Sequence, residues 1–164
     1  MKSMPIAFVI LSVGACCSVI HAMQDQDSTP IDSYIARQAR QERGEEYREA
    51  RKVVVGDVNG DGVPDLVVLY TIEGQRGTNN HVQYLAVFVR RESGLVALTH
   101  TEVAGKSSRG VELDSVEGNA IRLNTLSYGP NDPSCCPGVK GTTRYVLVEG
   151  TLREQRGGSA GRHQ

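Results

Sequence analysis

The chain has 164 residues, with 18 basic and 19 acidic side chains and a formal net charge of −1. That is enough for one domain with a real core and too little for two of ordinary size. Near-neutral charge offers no pull on nucleic acid, and 18 glycines against six Tyr and two Phe point to many turns around a light core. No apolar run reaches the roughly 18 residues of a membrane span, which excludes a multi-span membrane protein.

Residues 1–22 read as an export leader. Lys2 supplies a positive n-region, and residues 6–13 (IAFVILSV) form a short apolar stretch broken only by Ser12. Two exits fit. Cleavage after Ala22 leaves a small residue at the cut, whereas Val13-Gly14-Ala15-Cys16 resembles a bacterial lipobox with Cys16 as the lipidated first residue. Cysteine parity favours the first, which keeps Cys135 and Cys136 alone; lipidation at Cys16 adds the odd thiol of Cys17. Either way the chain is exported to the periplasm or beyond. It meets a membrane only through the lipid of an outer-membrane-anchored form.

Residues 23–30 (MQDQDSTP) are polar, end in proline and read as a linker or disordered spacer. Asp32 or Ser33 caps a short helix over residues 34–43, with Ile31, Tyr34, Ile35 and Ala39 on one face. Arg37, Arg40, Arg43, Arg48, Arg51 and Lys52 are interleaved with Glu42, Glu45, Glu46 and Glu49, the pattern of a solvated face. The period then shortens. Residues 53–55, 66–70, 82–89, 95–99, 111–116, 121–125, 142–148 and 151–152 read as strands separated by glycine-bearing turns. The expected fold is therefore mainly β: an antiparallel meander, small β-sandwich or blade-like sheet over residues 31–154, with one short N-terminal helix. Residues 155–164 read as a disordered tail. A second copy of the loop described next is absent, which argues against a multi-bladed repeat array.

The most informative stretch runs from Asp57 to Asp65 (DVNGDGVPD). Oxygen donors occupy its first, third, fifth and ninth positions: Asp57, Asn59, Asp61 and Asp65. Calcium takes about six to eight hard oxygen ligands, so ligands alternating with small residues can wrap one ion. Gly60 and Gly62 allow the positive φ such a wrap needs, and the Val63 carbonyl would supply the seventh position. The metal-free alternative is an Asx-rich hairpin turn. Val68 stands where an EF-hand requires a bidentate glutamate, and a strand follows instead of a helix, which excludes a calcium-switched helix pair.

Asp57, Asn59, Asp61, Gly62 and Asp65, flanked by strands at 53–55 and 66–70, resemble the FG-GAP/VCBS family, the calcium-loop blades of integrin α-subunits and of many secreted bacterial proteins. The resemblance implies a calcium loop between two strands of a sheet. It names no activity, since the family spans adhesion modules and surface enzymes. The layout of leader, β-rich body and calcium loop is also similar to periplasmic immunity lipoproteins that block peptidoglycan-cutting toxins.

Residues 128–138 (YGPNDPSCCPG) form a stiff, turn-rich loop around Cys135 and Cys136. In an oxidising compartment the pair forms a vicinal disulfide, pairs between molecules, or stays as two buried thiols. Redox catalysis is disfavoured, because no two-residue spacer separates the cysteines. His81, His100 and His163 stand in no catalytic spacing, and the chain lacks a nucleophile elbow, a zinc-protease helix motif or a phosphate loop. Glu102, Glu112 and Asp114 read as solvent-facing charges. The expected function is an exported, non-enzymatic, calcium-binding module for a protein or cell-envelope ligand. The alternatives are an immunity protein against a cell-wall hydrolase, or a small exported hydrolase with structural calcium.

Overall fold

The computed structural model describes residues 16–156. One helix, α1 (Cys16–Glu42), precedes nine strands: β1 (Glu45–Glu46), β2 (Lys52–Gly56), β3 (Asp65–Glu73), β4 (His81–Arg91), β5 (Gly94–Gly105), β6 (Arg109–Glu117), β7 (Ala120–Ser127), β8 (Val139–Val148) and β9 (Thr151–Arg156). They form one open antiparallel sheet in the order β1-β3-β4-β5-β6-β7-β8-β9, with β2 pairing β3 beside β1. The mainly β, meander-like expectation holds. Residues 1–15 of the leader and 157–164 of the expected tail lie outside the described residues.

Strands β3 and β4 carry near-continuous apolar runs because both of their faces are covered. One face takes the helix: Ile31, Tyr34, Ile35 and Ala39 bury against Leu66, Val68, Tyr70, Ile72, Ala86 and Phe88. The other takes the second half of the sheet, where Val67, Leu69, Leu85 and Val87 meet Leu113, Ile121, Leu123 and Tyr145. The sheet can fold over itself because β5 and β6 pair only at Gly105 and Arg109. Beyond that point a side chain replaces the ladder. The Gln83 amide donates to the Val111 carbonyl (3.1 Å) and accepts from its N–H (3.0 Å). Arg109 locks the fold-over, donating to the Val103 carbonyl at 2.8 Å and pairing with Glu154 at 2.7 Å.

Two regions differ from the reading of the sequence. The expected spacer at residues 23–30 is helical and contains Pro30, so the helix has 27 residues and is not short. There the Asp27 carboxylate takes both Arg90 nitrogens at 3.0 and 2.7 Å, tying that turn to the sheet. The mixed-charge run is likewise not all solvated. Arg51 forks onto Glu46 at 2.7 and 2.6 Å and reaches Asp32 at 2.5 Å, which Arg48 also contacts. Burial opposes ionisation of Asp32, yet the two arginines hold its carboxyl below the usual range.

The helix ends in a Schellman turn. Arg43 adopts φ 54°, with bonds from Gly44 N–H to the Ala39 carbonyl (2.9 Å) and from Arg43 N–H to the Arg40 carbonyl (3.2 Å). Gly44 is needed one residue later for close approach: a Cβ there would stand 2.6 Å from the Glu73 carbonyl oxygen.

Candidate functional site

The aspartate loop closes the β2–β3 hairpin, whose last pair is Gly56 opposite Asp65. Val58 fixes it from inside, its side chain 1% exposed and packed in the inner core between two donor positions. Gly60 and Gly62 turn the chain with φ of 78° and 82°, the left-handed conformation expected of them.

The loop wraps around its first carboxylate. One Asp57 oxygen accepts from the Gly60 N–H (2.7 Å) and the Asp61 N–H (3.2 Å), and the other from the Gly62 N–H (2.8 Å). Asn59 accepts from the Asp61 N–H and donates to the Asp61 carboxylate, both at 2.8 Å. Asp61 also accepts from the Val63 N–H at 2.8 Å. Asn59, Asp61 and Val63 are exposed and Asp57 is half-buried.

Asp65 differs from the others. Its side chain is fully buried; Oδ2 accepts from the Val58 N–H at 3.2 Å, while Oδ1 is buried without a partner. Burial pushes its carboxyl above the usual range, N–H groups of Val58 and Asn59 oppose that rise, and the negative charges of Asp61 and Asp57 add to it. Among the described residues no three His, Cys, Asp or Glu side chains converge closely enough to hold a metal ion, and the Asp57 and Asp61 oxygens face the loop's own donors. The residues nonetheless fit a hard divalent cation on two counts. The donors are oxygens within one nine-residue wrap, and a buried carboxylate oxygen lies unpaired within electrostatic reach of two others.

Residues 50–81 match the family model of the FG-GAP repeat. The segment is of FG-GAP type. The match takes in β2, the aspartate loop, β3 and the connection to β4, well under half of the chain. No curated protein and no solved structure matches the chain. An FG-GAP-type hairpin in a β-rich fold is suited to a binding or structural module.

The sulfurs of Cys135 and Cys136 stand within disulfide distance, on an exposed loop. The Asp132 carboxylate holds that loop, accepting from Gly129 N–H at 2.8 Å and Gly138 N–H at 2.6 Å; these bonds keep its pKa low.

A cluster at the opposite end of β3 carries no sequence signal. Tyr34, from α1, hydrogen-bonds His100, from β5; both rings pack edge-on, and Tyr84 stacks on Tyr70 with centroids 5.4 Å apart. Burial lowers the pKa of His100, with Glu42 opposing. The Tyr70 hydroxyl is buried without a partner. The residues that meet here come from distant positions, so spacing along the chain could not reveal them. Asp114, read from the sequence as a solvent-facing charge, pairs with Arg122 at 3.2 Å.

Proposed function

We propose that this protein is an exported, non-enzymatic β domain whose FG-GAP-type loop binds calcium and whose surface engages a protein or cell-envelope ligand. The observation that carries the metal reading is the buried, unpaired Oδ1 of Asp65 at the closed end of the wrap. Asp57, Asn59, Asp61, the Val63 carbonyl and Asp65 would hold the ion, with water completing the shell. Bound calcium supplies positive charge to a loop that otherwise gathers three carboxylates within nine residues. The chain's own part is to present those oxygens from a hairpin anchored by Val58 and to exclude solvent from Asp65. FG-GAP repeats are typically calcium-binding and extracellular or exported, which supports both the ion and the leader. No described helix is long and apolar enough to cross a membrane.

The test is a thermal melt of the mature protein in millimolar calcium against chelator, with calorimetry. The native state holds the site and the unfolded chain does not, so calcium at about 100 times Kd adds about 2.7 kcal/mol. Asp61→Ala removes that increment while the strands still fold. Equal melting temperatures and no heat of calcium binding would reduce the loop to an Asx-rich turn. For export, a mature N-terminus at Met23 assigns the ordinary cleavage, and a diacylated Cys16 assigns the lipoprotein. Reproducible turnover of a peptidoglycan, glycan, ester or phosphate substrate, lost on one point change, would overturn the non-enzymatic reading.

A further inference from the structure

A groove of about 580 Å³ opens between the end of α1, the β3–β4 connection and β5, at the end of β3 remote from the aspartate loop. Its lining includes Glu42, Arg76, Tyr84, Glu102 and Lys106. Glu42 and Glu102 act on Tyr84, whose hydroxyl is pushed up to about 12, first by burial and then by these two carboxylates. Neither carboxylate forms an ion pair within the described residues, and Glu102 is the direct cross-strand partner of Tyr84.

The Tyr84 ring is held in place by stacking on Tyr70 at 20° and by an edge contact from His100 at 88°. Its neighbour in the cluster, Tyr34, already has a cation, with the Arg37 guanidinium 5.4 Å from its ring centroid. Tyr84 shares the groove with Glu102, its cross-strand partner, and with Glu42, and no cation stands over its ring among the described residues. A fixed aromatic ring sharing a groove with two carboxylates that form no ion pair is the chemistry that takes an ammonium group, through charge-assisted hydrogen bonds and the ring's negative face. Arg76, at φ 55°, and Lys106, bonded to Asn79 at 2.5 Å, line the same groove and would meet an anion.

We propose that this groove binds a small zwitterion, an amino acid or short peptide, with its ammonium group between Glu42, Glu102 and Tyr84 and its carboxylate toward Arg76. The proposal is independent of the calcium loop.

Calorimetric titration of the mature chain in chelator, with glycylglycine as the probe, tests it. Saturable binding in the millimolar range is expected of so small a ligand. N-acetylglycylglycine, which lacks the ammonium charge, should show no binding, and glycylglycinamide should bind several-fold more weakly. Glu42→Gln and Glu102→Gln should each weaken glycylglycine about tenfold without moving the melting temperature. Arg76→Gln should weaken glycylglycine but leave glycylglycinamide unchanged. Absence of saturable glycylglycine binding, equal binding of the acetylated probe, or full affinity in the Glu42→Gln/Glu102→Gln double variant would overturn the proposal.

Discussion

The two ends of β3 meet the same problem with opposite means. Asp65 opens the strand with a fully buried carboxylate, one of whose oxygens lacks a partner. Tyr70, five residues on, is also fully buried, and its hydroxyl too lacks a partner. A phenol can remain neutral at modest cost, and burial raises its pKa far above any working pH. A carboxylate at neutral pH cannot do so without either a proton or a cation. On the proposed reading, that difference is why the ion is placed at the Asp65 end, whereas the Tyr70 end needs only packing.

The largest expected effect separates packing from ion binding. Ile72 is fully buried under the helix, close to the Tyr70 end. Ile72→Ala should cost about 2–5 kcal/mol through lost burial and a residual cavity. That cost should be equal in calcium and in chelator. Denaturant titrations in both conditions check it, and a calcium-dependent cost would mean that the two ends are not separate.

Asp65→Asn should act in opposite directions in the two conditions. In chelator the amide keeps an acceptor for the Val58 N–H and removes the buried charge, so stability should rise, on the order of 1 kcal/mol. In calcium the variant should lose the metal increment of about 2.7 kcal/mol and fall below the wild type. The pH dependence has a fixed sign. A folded pKa above the unfolded value means that the native state without calcium binds its proton more tightly. The cost is therefore present above the folded pKa and is relieved as pH falls through it. Melting curves that kept the same order with and without calcium would remove Asp65 from the proposed site.

The strand pattern was legible because β-branched runs and glycine turns are local. Residues 66–70 and 82–89 stand out as strands since both faces are covered, and 57–65 stands out because every proposed ligand lies in one contiguous segment. What escaped depends on partners far along the chain. Residues 23–30 are helical with Asp27 fixed by Arg90; β1 consists of two glutamates with no apolar signal; Arg51 is drawn inward by Asp32 and Glu46. The fold-over at Gly105 is invisible for the same reason, because it relies on Gln83 replacing a strand. The groove gathers Glu42, Tyr84 and Glu102 from three elements, so no motif could announce it.

Tyr70→Phe tests the packed end with a smaller effect. Removing a buried hydroxyl that has a partner usually costs stability, whereas removing one without a partner should be neutral or stabilising, within about 1 kcal/mol. Equilibrium unfolding of the variant reads this directly. A clear loss would mean that the hydroxyl is satisfied in solution and that the two ends differ less than their geometry implies.

The smallest effect concerns the carboxylate that is the reverse of Asp65. Asp132 is half-buried on the cysteine-bearing loop, and N–H groups of Gly129 and Gly138 both donate to its Oδ2. Those bonds favour the charged form and hold its pKa below the ordinary aspartate value of about 3.9. Here the unfolded chain binds the proton more tightly, so the stabilisation is fully present above the unfolded pKa and is lost as pH falls through the folded one. Asp132→Asn should therefore lower the melting temperature slightly at pH about 6, with a difference that shrinks as acid protonates the wild-type carboxyl. Solvent screening keeps the effect small at a site that water still reaches. The Asp65 variant in chelator should show the mirror image, with its advantage over the wild type greatest at neutral pH and fading in acid. If Asp132→Asn lost as much stability at low pH as at neutral pH, its role would lie in the loop's shape and not in its charge, and the contrast with Asp65 would reduce to burial alone.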